Sequence, residues 1–152
     1  MPSGEVGVHS IRFVAIRVGQ SILLKSGKIT VLPAEHAVPA VGYLVDSGQA
    51  SFAFSGDTTY CEAFWESLEK AENLRHLMIE ATFLESSRER AKISGHMTPA
   101  LLARGFERLG RPVDILITHM EAGREEETMQ EILALSGRFW PKAVSRGQVF
   151  EF

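Results

Sequence analysis

Hydrophobic positions in the first third of the chain fall in short runs broken by turn residues; further on they recur at helical spacing between such runs. Ile11–Ile16 is a short apolar run, and Ile22–Leu24 and Ile29–Leu32 flank the turn signal Ser26-Gly27. Val41–Val45 and Phe52–Phe54 are two more strand-like runs, joined through Asp46-Ser47-Gly48, which reads as a hairpin turn. From Gly56 onward helix and strand patterns alternate. Glu62–Lys70 sets Phe64 and Leu68 four apart with Cys61 and Trp65 beside them, giving one apolar helical face. Leu77–Ile79 reads as a buried strand. Thr98-Pro99 reads as a cap followed by proline at the first helical position, Gly110 as the stop, and Leu101, Leu102, Phe106 and Leu109 as the apolar stripe between them. Val113–Thr118 is the next strand and ends at His119. Glu125–Glu127 places acid in the first turn of a third helix whose inward face is Met129, Ile132 and Leu133. Val149–Phe152 reads as a closing β segment. Strands first, then alternating helix and strand, predict an α/β fold: a mixed sheet covered by helices on one face.

Composition narrows the class. The chain has 152 residues, 45% of them hydrophobic and 23% charged, which predicts one globular domain. A net charge of −3 weighs against a dedicated nucleic-acid binder, which usually carries a basic patch. No apolar run approaches the length of a membrane span, and the N-terminus shows no basic stretch followed by an apolar one. Cys61 is the only cysteine, so no intrachain disulfide forms, as suits a reducing compartment. These features predict a soluble, cytoplasmic protein with no membrane partner.

Three polar residues share one position, just after an apolar strand-like run: His36, Asp57 and His119. Strand ends hold side chains on a rigid rim where ligand and catalytic groups gather. Imidazole nitrogen and carboxylate oxygen are the usual protein donors to Zn²⁺, and to Mn²⁺ or Fe²⁺ in mixed sites. Each residue taken singly also has a plainer reading: Asp57 as an N-cap or turn residue, His36 as a loop histidine, His119 as a core histidine. His96, in Ser94-Gly95-His96-Met97-Thr98, precedes the capped helix, where amide groups favour an anion or phosphate. A protonated imidazole there needs a carboxylate partner, and Glu80, at the end of Leu77–Ile79, is the obvious candidate. The alternative is that His96 merely packs beside the cap. His9 and His76 read as surface residues without function.

The stretches Pro33-Ala34-Glu35-His36-Ala37-Val38-Pro39-Ala40-Val41-Gly42-Tyr43 and Phe54-Ser55-Gly56-Asp57-Thr58 are followed by Ile79-Glu80-Ala81-Thr82-Phe83, Ser94-Gly95-His96-Met97-Thr98 and Ile117-Thr118-His119. In that order and spacing they resemble the metallo-β-lactamase-fold hydrolases. The likeness is closest to class II 3′,5′-cyclic-nucleotide phosphodiesterases, with the tRNA 3′-end processing endonucleases more distant. The resemblance implies that His36 binds a first metal, that Asp57 bridges two, and that His119 binds the second. It implies a role for His96 in contacting the scissile phosphate or protonating the leaving oxygen, with Glu80 orienting it. Two divalent ions (Zn²⁺, or Mn²⁺ or Fe²⁺) per complete site would supply a hydroxide and neutralise charge on a phosphodiester such as a cyclic nucleotide. An RNA substrate is the alternative within the same fold, and a dimeric remnant without turnover is the alternative outside catalysis.

The family's His-x-His-x-Asp-His run, which supplies most of the metal ligands, has no counterpart here, where the five histidines stand apart. The resemblance therefore covers the C-terminal half of an αββα sandwich, and residues 1–152 are expected to form one partial domain lacking the N-terminal half. Such a chain is expected to bind metal weakly or not at all and to be inactive alone. One apolar sheet face would lack its cover, so a homodimer, or association with the missing half, is expected.

Overall fold

The computed structural model describes residues 12–152. Strands β1 (Ser21–Leu24), β2 (Gly27–Pro33), β3 (Val41–Asp46) and β4 (Ser51–Phe54) form an antiparallel meander. Strands β5 (Leu74–Glu80), β6 (Asp114–Thr118) and β7 (Lys142–Ala143) then add in parallel, so the sheet order is β1-β2-β3-β4-β5-β6-β7. Parallel neighbours require crossovers, and helices supply them. Helix α1 (Glu62–Lys70) links β4 to β5, α2 (Arg88–Ser94) and α3 (Pro99–Phe106) link β5 to β6, and α4 (Glu125–Leu135) links β6 to β7. The expected α/β fold with a mixed sheet is what forms.

Alternation along the strands decides where the core sits. Leu32, Ala53, Leu77, Ile79, Ile115 and Ile117 point one way and join Phe64, Trp65, Leu68, Leu102, Phe106 and Ile132 of the helices in a single cluster. Phe64, Trp65 and Leu68 are fully buried, each contributing roughly 1.5–3 kcal/mol by transfer from water. Val31, Tyr43, Phe54, Met78 and Leu116 pair across the sheet on the opposite face. Among them Val31 and Leu116 are buried, and Tyr43, Phe54 and Met78 are half-buried.

Four expectations are corrected. Residues 12–16 of the first apolar run form no strand, and Ile11 lies outside the described residues, as does His9. Val149–Phe152 pairs with no strand among the described residues; the last strand there is Lys142–Ala143, and Phe150 and Phe152 instead pack their rings on Phe52, with centroids 5.4 and 5.7 Å away. Leu133 is exposed, and Thr128 takes the inward place with Ile132. Thr98 does stand at the N-cap of α3, but its hydroxyl makes no capping bond; its carbonyl accepts from Leu102 N at 3.0 Å.

The β3–β4 turn is held by Asp46, whose carboxylate accepts from Gly48 N at 2.8 Å and Asn73 Nδ2 at 2.9 Å, with Lys28 Nζ 3.6 Å away. The Gly48 amide first, then Asn73 and Lys28, hold this carboxyl below its ordinary value. A carboxyl lowered on folding adds stability above the unfolded pKa of about 3.9, and that contribution is lost as pH falls through the folded value. Asp46→Asn is therefore expected to be less stable than the parent at pH 7, with the gap closing below about pH 4. Urea unfolding at pH 7 and pH 3 measures it; a gap independent of pH would contradict the assignment.

Candidate metal and phosphate site

Strands β2, β4, β5 and β6 run in one direction, so their C-terminal ends meet on one rim, where open α/β sheets place ligands. His36 follows β2, Asp57 follows β4, Glu80 ends β5 and His119 follows β6. The sheet thus brings together residues that are far apart in the chain, and His96 joins them from the α2–α3 connection.

Two glycines make the close approaches the rim needs. Gly56 turns at φ 61°, and a Cβ there would lie 2.5 Å from the Val41 carbonyl oxygen. Only glycine passes this point without strain, and it delivers Asp57 to the rim. Gly95 ends α2 at φ 75°, and a Cβ there would lie 2.8 Å from His36 Cα. The His36 loop therefore packs directly on the backbone before His96. Its partner loop is cross-linked: Glu35 N donates to Thr58 Oγ1 at 2.9 Å, and Thr59 N donates to the Glu35 carbonyl at 2.7 Å.

Hydrogen bonds fix the tautomers, because a carbonyl can only accept. His36 Nδ1 donates to the Gly95 carbonyl at 3.0 Å, leaving Nε2 with its lone pair. Orientation of a ligating imidazole by a backbone carbonyl is a common support for metal sites. His119 holds φ 56°, a left-handed conformation costing a β-carbon residue of order 1 kcal/mol. Its Nε2 lies 3.8 Å from Asp57 Oδ1, and both side chains are about half exposed.

Glu80 is fully buried behind this rim. Its Oε1 accepts from Thr58 N at 2.7 Å and His96 Nδ1 at 2.7 Å. Its Oε2 accepts from Thr82 Oγ1 at 2.7 Å, Met97 N at 3.2 Å and Thr82 N at 3.3 Å. A buried carboxylate with five donors is a satisfied one. With Nδ1 committed to Glu80, the His96 ring is locked, and its Nε2 makes no hydrogen bond among the described residues. The His96 ring stands between the other two imidazoles, with centroids 4.7 Å from His36 and 5.3 Å from His119.

The structure therefore brings together all five residues singled out in the sequence. Sequence reasoning missed Thr58 and Thr82, whose hydroxyls lock the loops, and the amide of Met97; the adjacency of Thr58 to Asp57 and of Thr82 to Glu80 was the available signal. His76 is corrected: its side chain is only 12% exposed, beneath the rings of Phe150 and Phe152.

His36, Asp57 and His119 fit divalent ions in kind, since free imidazole nitrogen and carboxylate oxygen are the donors such ions take. Among the described residues, no group of three or more His, Cys, Asp or Glu is placed to hold one ion, whereas catalytic Zn²⁺ takes three protein ligands. The described residues of the rim thus do not complete a site for one ion.

Residues 2–120 match the family described as Beta-lactamase superfamily domain. The chain belongs to this family. A ribonuclease Z from Bradyrhizobium diazoefficiens is 30% identical over 125 residues, covering 82% of this chain and 37% of that protein. The metallo-β-lactamase fold protein YhfI from Bacillus subtilis superposes with a TM-score of 0.75 at 21% identity, over 91% of this chain and 55% of that one. Yeast PDE1 superposes with a TM-score of 0.67 at 12% identity, over 80% and 44% respectively. The chain thus spans between 37% and 55% of the length of these proteins. At such identities the solved structures establish the fold, which is the metallo-β-lactamase fold expected from the motifs. Among the described residues, no helix is long and apolar enough to cross a membrane.

Proposed function

We propose that this chain carries the phosphate-handling half of a metal-dependent phosphodiester hydrolase. The observation that carries the reading is the Glu80–His96 pair, set 2.7 Å apart beside His36, Asp57 and His119 on one rim. Divalent ions held there by His36, Asp57 and His119 would supply an activated water and offset the charge that builds on the phosphate. His96 performs the remaining step. Its Nδ1–H is anchored on the buried Glu80 carboxylate, which fixes the ring and leaves Nε2 as the atom that gives a proton to the departing alkoxide. Positioned proton donors of this kind contribute about 10²–10⁴-fold.

A cyclic nucleotide suits the small phosphodiester expected from the sequence resemblance. The second reading, an RNA phosphodiester, is favoured by the likeness to ribonuclease Z. Both use the same rim residues in the same roles.

We further propose that the chain works as a homodimer through the sheet face that bears Tyr43, Phe54 and Met78, opposite the face on which the helix residues of the core pack. The partner copy, or the segment that completes the sandwich, brings the remaining metal donors close. The test is one experiment on the associated chain, its mass followed by light scattering, with Zn²⁺ or Mn²⁺ added. Any hydrolysis is expected on bis(p-nitrophenyl) phosphate, and to vanish in Asp57→Ala. Hydrolysis confined to lactones or thioesters, or surviving Asp57→Ala, would overturn the hydrolase reading; a stable monomer at micromolar concentration would overturn the dimer.

A further inference from the structure

A cavity of about 660 Å³ lies at the other end of the sheet, where β5, β6 and β7 begin. It is within the size range of small-molecule sites and far larger than a single phosphate needs. Its walls carry Arg75, Arg111, Arg138 and Lys142 against one carboxylate, Asp114. This in a chain with a net charge of −3 is a local reversal of sign. Arg75 and Lys142 are exposed and enter no ion pair among the described residues.

Two buried polar atoms in the cavity's lining side chains have no hydrogen-bond partner among the described residues: Arg111 Nε and His76 Nε2. Arg111 is otherwise anchored, its Nη2 donating to the carbonyls of Leu68, Glu69 and Ala71 at 2.7, 3.2 and 2.7 Å. Arg111 is thus a fixed cation in the cavity wall. The lining also includes Trp140, 80% exposed, an indole that a globular surface ordinarily covers. Cations beside an open indole are the elements that take a phosphate and stack a base.

We infer that this cavity binds a phosphorylated nucleotide, free or at the end of an RNA strand, with the phosphate among Arg75, Arg111 and Lys142 and the base on Trp140. The inference is independent of the reading of the metal rim.

Fluorescence reads it directly, because the chain has two tryptophans and Trp65 is fully buried. In EDTA, adenosine monophosphate is expected to quench Trp140 saturably, with a midpoint below about 1 mM. Inorganic phosphate should displace it, and adenosine should bind about tenfold more weakly. The double variant Arg75→Glu, Lys142→Glu changes only exposed side chains and should raise the midpoint about tenfold or more at low salt. Trp140→Phe should abolish the quenching. A 5′-phosphorylated oligoadenylate that binds as well as the mononucleotide assigns the site to a strand end; binding of the mononucleotide alone assigns it to free nucleotide. No saturable quenching by about 1 mM, or an unchanged midpoint in the double variant, overturns the proposal.

Discussion

Glu80→Ala is expected to cost about 3–5 kcal/mol, as does removal of one partner from a buried charged network. The alanine leaves the amides of Thr58, Met97 and Thr82 and the His96 Nδ1–H without their acceptor, in a place where water does not reach. Against a whole-domain stability of about 5–15 kcal/mol this is a large fraction. At 2–4 °C per kcal/mol, the thermal midpoint should fall by about 10 °C. Glu80→Gln keeps the shape and one carbonyl acceptor but sets an NH₂ against other donors, so an intermediate loss of about 1–3 kcal/mol is expected. Circular dichroism melts of both variants check the order. A Glu80→Ala variant as stable as the parent would show that the network is not what joins the β4, β5 and α2–α3 segments.

His96→Ala has the opposite profile. Its side chain is 13% exposed, like that of His76, but its Nε2 makes no hydrogen bond among the described residues and four other donors remain on Glu80. Folding should survive, while kcat on a phosphodiester with a poor leaving group falls about 10²–10⁴-fold in the assembled enzyme. With a good leaving group such as p-nitrophenolate the loss should shrink, because that oxygen needs no proton. Metal binding should be unaltered. If metal binding is lost instead, His96 is a ligand and the proton-donor role is wrong.

Much of the fold was legible because its strong elements follow simple periods. The helix predicted over Glu62–Lys70 forms with those bounds, since Phe64, Trp65 and Leu68 mark a buried stripe. Helix α2 left no such mark: among its residues only Ala91 is buried, and Ile93 is 81% exposed. The terminal Val149–Phe152 has strand-like composition, yet Phe150 and Phe152 are held by ring contacts with Phe52 and His76 and not by a ladder. Composition carries no information on which of these occurs.

The site was legible for a different reason. Side chains that follow apolar runs land on the strand-end rim, so His36, Asp57 and His119 could be picked out from local position alone, although each on its own also had a plain reading. What joins them was not legible. The amides of Thr58 and Met97 donate to Glu80, and backbone donors leave no signature in residue identity. His76 looks like a surface residue in the sequence because its cover, Phe150 and Phe152, lies more than seventy positions away.

In the proposed hydrolase His36, Asp57 and His119 form the metal-binding face, and Glu80 keeps His96 from joining it. Nitrogen-15 NMR of the histidine rings during titration with Cd²⁺ or Zn²⁺ tests it without any need for turnover. The metal-free spectrum should show protons on Nδ1 of both His36 and His96. On titration, with a midpoint near or above about 1 mM for the isolated chain, Nε2 of His36 and of His119 should shift, and the His119 response should disappear in Asp57→Ala. A response centred on His76, or one untouched by Asp57→Ala, would contradict this assignment of ligands.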